Sequence, residues 1–160
     1  DYDWGRSRRD IPHRLVASGV LELPFDLVTS GILTAQSGSP YTALDPAVGY
    51  SNHPGFAIGP YGAQTRAVVA GALVPVNEER NRPWTTLDLR VTKRLHVGRS
   101  EVEALFEIFN LLNTAAFRVG DADQQEVLLD DGVTPNPEFG LASALVGAQR
   151  QAQLGLRIVF

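Results

Sequence analysis

At 160 residues with 44% hydrophobic positions and a mean hydropathy of −0.06, the chain has the size of one ordinary domain. It contains neither the ~18 consecutive apolar residues that a transmembrane helix requires nor the basic-then-apolar opening of a signal peptide. Cysteine and methionine are absent, which excludes disulfides, thiolate metal sites and cysteine nucleophiles, and a net charge of −4 gives no basic footprint for nucleic acid.

Five segments alternate with the period of two that sends successive side chains to opposite faces of a strand. The first spans 12–23, with Leu15, Ala17, Gly19, Leu21 and Leu23 on one face and Arg14, Val16, Ser18, Val20 and Glu22 on the other. Pro24-Phe25-Asp26 reads as a short turn. The second spans 27–41 and loosens into Gln36-Ser37-Gly38-Ser39-Pro40, a turn-prone run. From Ala43 to Pro83 little periodicity survives, and the stretch reads as a long loop with a short helix or hairpin around Arg66–Val76.

The third segment, 85–96, sets Leu87, Leu89, Val91 and Leu95 on one face and Asp88, Arg90, Thr92, Arg94 and His96 on the other, with Lys93 breaking the apolar row. Val97-Gly98-Arg99-Ser100 is a tight-turn candidate, because glycine supplies the positive φ that hairpin turns need. The fourth segment, 101–113, follows. A two-residue turn at Gly98-Arg99 would set His96 beside Glu101, Arg94 beside Glu103 and Arg90 beside Glu107. The same register sets Leu95 beside Val102, Val91 beside Phe106 and Leu89 beside Ile108, so one register satisfies both faces. A helix competes here, since Ser100-x-x-Glu103 is a capping box and Val102, Leu105, Phe109 and Leu112 have amphipathic helical spacing.

Thr114 to Gly147 reads as a second long, solvated connection carrying Asp121, Asp123, Glu126, Asp130 and Asp131. The last segment, 150–160, places Ala152, Leu154, Leu156, Ile158 and Phe160 against Gln151, Gln153, Gly155, Arg157 and Val159. The abrupt start in Asp1-Tyr2-Asp3-Trp4-Gly5 leads to the expectation that these residues are part of a longer protein.

Chemistry-bearing constellations are few. His13, His53 and His96 lack metal-ligand spacing, the Ser37-Gly38-Ser39 stretch lacks the glycines of a nucleophile elbow, and Gly59-Pro60-Tyr61-Gly62 lacks the lysine of a phosphate loop. The acidic run lacks the spacing and central glycine of a calcium loop. Arg90, Arg94, Glu103 and Glu107 read as a neutralised, lumen-facing wall or as a ligand path. Trp4, Tyr41, Trp84 and Phe109 fall near predicted strand ends, where amphipathic rings favour a bilayer interface and packing is the alternative. No catalytic, metal or cofactor residue is expected, and the chain reads as a non-enzyme.

The last ten residues, Gln-Ala-Gln-Leu-Gly-Leu-Arg-Ile-Val-Phe, resemble the C-terminal recognition signal of bacterial outer-membrane barrels, with Phe160 in the terminal place and Ile158, Leu156, Leu154 and Ala152 at the alternate ones. More specifically, the chain resembles the terminal barrel region of TonB-dependent transporter-like proteins of the Oar type, which carry a carboxypeptidase-regulatory-like domain. The matching pieces are Asp10 to Gly19, Ser37-Gly38-Ser39-Pro40-Tyr41, Asn81-Arg82-Pro83, Leu87 to Arg94, Phe106 to Asn113 and Gln153 to Arg157, in order.

The fold expected is therefore all-β: an antiparallel transmembrane β-barrel fragment of about five C-terminal strands with two long extracellular loops. Mean hydropathy near zero fits such a wall, whose strands are apolar toward lipid and polar toward the lumen. Short turns at 24–26 and 97–100 would be periplasmic and Phe160 would end there. The resemblance implies a cell outer-membrane location, uptake or binding of a large ligand, and a set of partners. These are the remaining strands and plug of the same protein, the barrel assembly machinery, the lipid bilayer, and an inner-membrane energy-coupling complex reached through N-terminal parts outside these residues. A passive porin or surface adhesion barrel is the alternative, and a soluble β-rich binding module a second one.

Overall fold

A computed structural model describes residues 4–45, 65–69, 72–121 and 123–160. Among them every regular element is a β-strand apart from one 3-10 turn at Asp123–Gln125. The described chain divides into two compact units: a sheet unit of His13–Gln36, Pro83–Ala116 and Gly147–Phe160, and a loop unit made of the remaining segments.

The sheet unit holds five antiparallel strands: β1 (Arg14–Leu23), β2 (Leu27–Gln36), β3 (Trp84–Val97), β4 (Ser100–Phe109) and β5 (Gln151–Val159). They lie side by side in sequence order, which is a meander with β1 and β5 as its edges. All four pairings run without a bulge. The alternation read from the sequence therefore propagates unbroken across the sheet. One face carries Leu15, Leu21, Leu27, Leu33, Leu87, Leu89, Val91, Leu95, Val102, Phe106, Ile108, Leu154, Leu156 and Ile158, interrupted by Lys93 and small or hydroxyl residues. The other carries the remaining charges of the strands.

The strands of the sheet bury little of this apolar face. Leu154 is 84% and Leu156 76% exposed, and every residue of β1 and β5 is exposed. A soluble sheet hides its apolar row beneath a second layer; a sheet that meets lipid need not. The registers also lean. β2 pairs with β3 from Trp84 to Lys93, whereas β4 pairs with it from Leu89 to Val97. From the β1–β2 pair to the β4–β5 pair the paired zone slips about four residues over about three strand spacings, a tilt of roughly 40°, within the range in which antiparallel sheets close into barrels.

The competition between strand and helix after Ser100 is decided for the hairpin. Gly98 takes φ +64 and the pairs are His96 with Glu101, Arg94 with Glu103, Arg90 with Glu107, Leu95 with Val102, Val91 with Phe106 and Leu89 with Ile108. Two strand ends differ from the sequence expectation. β2 stops at Gln36 rather than near 41, because Gly38 leaves the sheet to lie against Asn81, where a Cβ would meet the Asn81 carbonyl oxygen at 1.9 Å. β4 stops at Phe109 rather than 113, because Asn110 turns to φ +50.

Among the described residues, most of the well-buried ones lie in the loop unit. Ala43, Leu44, Ala67 and Val119 are buried with Thr42, Asp45, Asn77, Gln125 and Glu126. Short pairs organise it: Pro40–Tyr41 with Glu79–Arg80, Leu44–Asp45 with Thr65–Arg66, and Val68–Val69 with Ala72–Leu73. The last of these settles the region around 66–76 as a hairpin. The second connection is only partly solvated, which corrects the sequence reading: Asp121, Asp123, Asp130 and Asp131 are exposed, but Gln125 and Glu126 are buried and Val127 donates its N–H to the Leu44 carbonyl at 2.9 Å. Residues 46–64, including His53 and Gly59–Gly62, lie outside the described residues.

Candidate functional site: a two-faced wall and its folded loops

The polar face of the sheet carries a ladder of charge that crosses three strands. Arg90 of β3 bonds Glu107 of β4, which accepts a second bond from Gln153 of β5. One turn of the pleat away, Glu103 stands between Arg94 at 3.4 Å and Arg157 at 3.4 Å. Glu101 lies 3.6 Å from His96 and 3.9 Å from Arg94. The Glu103 and Glu107 side chains are 14% and 13% exposed while their arginines remain largely open. The wall is thus close to neutral pair by pair, and each partly exposed pair contributes ~0–1 kcal/mol.

The sequence-predicted members Arg90, Arg94, Glu103 and Glu107 come together; Arg157 and Gln153 extend the ladder and were not grouped with it. Their alternation placed them on the polar face, but a long loop separates β4 from β5, so no turn fixed their register. Of the apolar row in the last strand, Ala152 lies opposite Ile108, Leu154 opposite Phe106, Leu156 opposite Ala104 and Ile158 opposite Val102. Phe160 lies beyond the last pair, fully exposed.

The aromatic reading needs correction. Trp84 pairs with Gln36, and Phe109 with Gln151, so both stand on the polar face and not on the apolar one. Tyr41 belongs to the loop unit, its ring edge-on to Phe139 at 6.4 Å. Burial, reinforced by the Glu79 carboxylate, pushes its hydroxyl above the usual tyrosine range. Trp4 is exposed.

Three of the quoted motif pieces converge in the loop unit on one polar knot. The Arg80 guanidinium donates to the Asp10 carbonyl at 2.9 Å, the Asp10 carboxylate at 2.8 Å and the Gly38 carbonyl at 3.0 Å. The Asn81 amide donates to the Ser39 carbonyl at 2.8 Å and accepts the Val119 N–H at 2.7 Å. Segments distant in sequence are thereby tied to one another. Nearby, Asn77 at φ +57 accepts the Thr42 hydroxyl and donates to the Arg6 carbonyl.

A second tie lies in the sheet unit at Asn110, which is 5% exposed. Its N–H donates to Asp88 at 2.7 Å, its side-chain amide to the Thr114 and Ala148 carbonyls at 3.1 and 3.0 Å, and its side-chain oxygen accepts the Thr114 N–H. The sequence signal is Asn110 with Asn113, both left-handed, a conformation asparagine tolerates better than most residues. Among the described residues no group of His, Asp and Glu is arranged to hold a metal.

A family described as "Outer membrane beta barrel domain" matches residues 1–153. No curated protein and no solved structure matches the chain. The match spans nearly the whole chain, and it agrees with the tilted meander, its exposed apolar face and its polar, charge-paired reverse. The chain therefore belongs to the outer membrane beta barrel domain family and forms part of a barrel wall in the bacterial outer membrane.

Proposed function

We propose that this wall belongs to a TonB-dependent receptor or transporter that binds and takes up a large ligand, with its short turns in the periplasm and its long loops outside. The observation that carries the reading is the folded loop unit. Long connections that bury Leu44, Ala67 and Val119 and are knotted at Arg80 and Asn81 form a preorganised surface, which lowers the ordering cost of engaging a large ligand. The ordered motif resemblance supports the same assignment. No catalytic step is assigned to these residues.

Unpaired backbone on β1 and β5 would cost several kcal/mol per group in hydrocarbon, so further strands of the same protein complete the wall. A plug from that protein fills it and passes energy from an inner-membrane complex. The apolar edge strand ending in Phe160 addresses the chain to the barrel assembly machinery. Planar-bilayer recording of the full-length protein tests the transporter reading. A plugged barrel stays closed until urea loosens the plug, and the periplasmic domain of the energy-coupling protein retains it in a pull-down. Steady open-channel steps without urea would instead identify a passive porin.

A further inference from the structure

Among the described residues Lys93 is the one charged side chain on the apolar face of the sheet, between Leu27 of β2 and Ala104 of β4. A lysine among Leu27, Val91, Leu95 and Leu156 would be costly in hydrocarbon. Its ammonium instead reaches the turn that joins β1 to β2 and donates to the Phe25 carbonyl. That turn has a distinctive form: Phe25 and Asp26 both take positive φ, +67 and +55. A bulky residue seldom does so, and the ring that results is 82% exposed. The Asp26 carbonyl accepts the Arg94 N–H at 2.9 Å, fixing the turn to β3 beside the lysine.

The four-carbon stem is thus laid along apolar surface while the charge is delivered to the sheet's end, the behaviour of a lysine at a membrane interface. Three N–H donors sit on an ammonium and the Phe25 carbonyl takes one. From this geometry we infer that Lys93 and the Pro24–Asp26 turn form a lipid-headgroup site, in which the ammonium binds the phosphate of a phospholipid and Phe25 inserts at the same depth. The leaflet, periplasmic, rests on the orientation given under Proposed function.

The test uses the full-length protein in detergent, titrated with short-chain phosphatidylglycerol and followed by its thermal unfolding midpoint. Lipid raises the midpoint of the unmodified protein and of Lys93→Arg, while Lys93→Gln needs about fivefold more lipid for the same rise, the loss expected for one basic residue at a lipid surface. Inorganic phosphate gives no rise. An unchanged response in Lys93→Gln, or equal protection by inorganic phosphate, overturns the site. Should Lys93→Gln fail to assemble, the Lys93 side-chain nitrogen resonance, assigned by its loss in Lys93→Arg, decides: it shifts with lipid or the inference fails. Orientation is read separately. Arg99→Cys on intact cells resists an impermeant maleimide if the turns are periplasmic, and labelling there would overturn the leaflet while leaving the phosphate contact standing.

Discussion

Asp88 and Asn110 meet at the end of the β3–β4 hairpin, where the Asn110 N–H donates to the Asp88 carboxylate at 2.7 Å. The contact holds a left-handed residue at the point where β4 gives way to a loop, and the Asn110 side chain then ties that loop to Ala148 just before β5. Asp88→Ala removes one charge-assisted bond and is expected to cost about 1–2 kcal/mol. Asn110→Ala keeps that backbone donor but loses the three side-chain bonds to Thr114 and Ala148 and places alanine at positive φ, costing roughly 2–4 kcal/mol. Asn110→Gly should fall between, because glycine restores the conformation but not the bonds. Urea unfolding of the reconstituted full-length barrel ranks the three.

Neighbouring positions in β2 should respond in opposite ways to the same substitution. Leu33 lies on the apolar face between Ala17 and Leu87, and Thr34 on the polar face between Val16 and Thr86. Leu33→Arg is expected to destabilise by about 2–4 kcal/mol if the apolar face meets lipid, and Thr34→Arg by well under half of that. Equal costs measured by unfolding from lipid bilayers would sink the assignment of faces.

Asp131 provides a pH-dependent element in the loop unit. The Thr134 hydroxyl, then the Thr134 and Val133 backbone N–H groups, donate to its carboxylate and hold its pKa below the ordinary carboxylate range. A depressed folded-state pKa means the contribution is complete above the usual carboxylate value and is lost as pH falls through the lower folded value. Amide resonances of Val133 and Thr134 should therefore move together only on acidification below that usual value, and Asp131→Ala should abolish the transition. The group is fully exposed, so the opening is expected to stay local.

Removal of Phe160 tests its proposed role as an assembly signal. The residue lies beyond the last β4–β5 pair and is fully exposed, so its loss removes little packing from the sheet unit. Deletion is expected to lower the folded, heat-modifiable fraction in the outer membrane severalfold while leaving the unfolding midpoint of the assembled fraction nearly unchanged. A normal assembled fraction would remove the signal role.

Local pattern carried much of the fold. Period-two alternation identified four of the strands, whereas at 101–113, where a helix competes, Gly98 in its short turn favoured the strand and fixed the β3–β4 register, because a two-residue connection leaves one pairing that satisfies both charge and hydrophobicity. Where chain connections are long, that constraint vanishes. Arg157 could not be matched to Glu103 across 115–150, and the strand limits at Gln36 and Phe109 depend on Asn81 and Asp88, partners far away in sequence. Aromatic residues near strand ends differ for another reason: closeness to an end does not set the face, and Trp84 shares the parity of Asp88 and Arg90 as Phe109 shares that of Glu103 and Glu107, which puts both on the polar face.

By itself the sequence determined the alternating faces, the turns and the all-β class, since each follows from contacts a few residues apart. Tertiary structure alone decided that the long connections fold around Leu44 and Ala67, that Asp10, Gly38, Arg80 and Asn81 form one knot, and that Lys93 reaches Phe25. Those contacts join residues tens of positions apart, and the loop closure that brings them together leaves no periodicity in the chain to announce it.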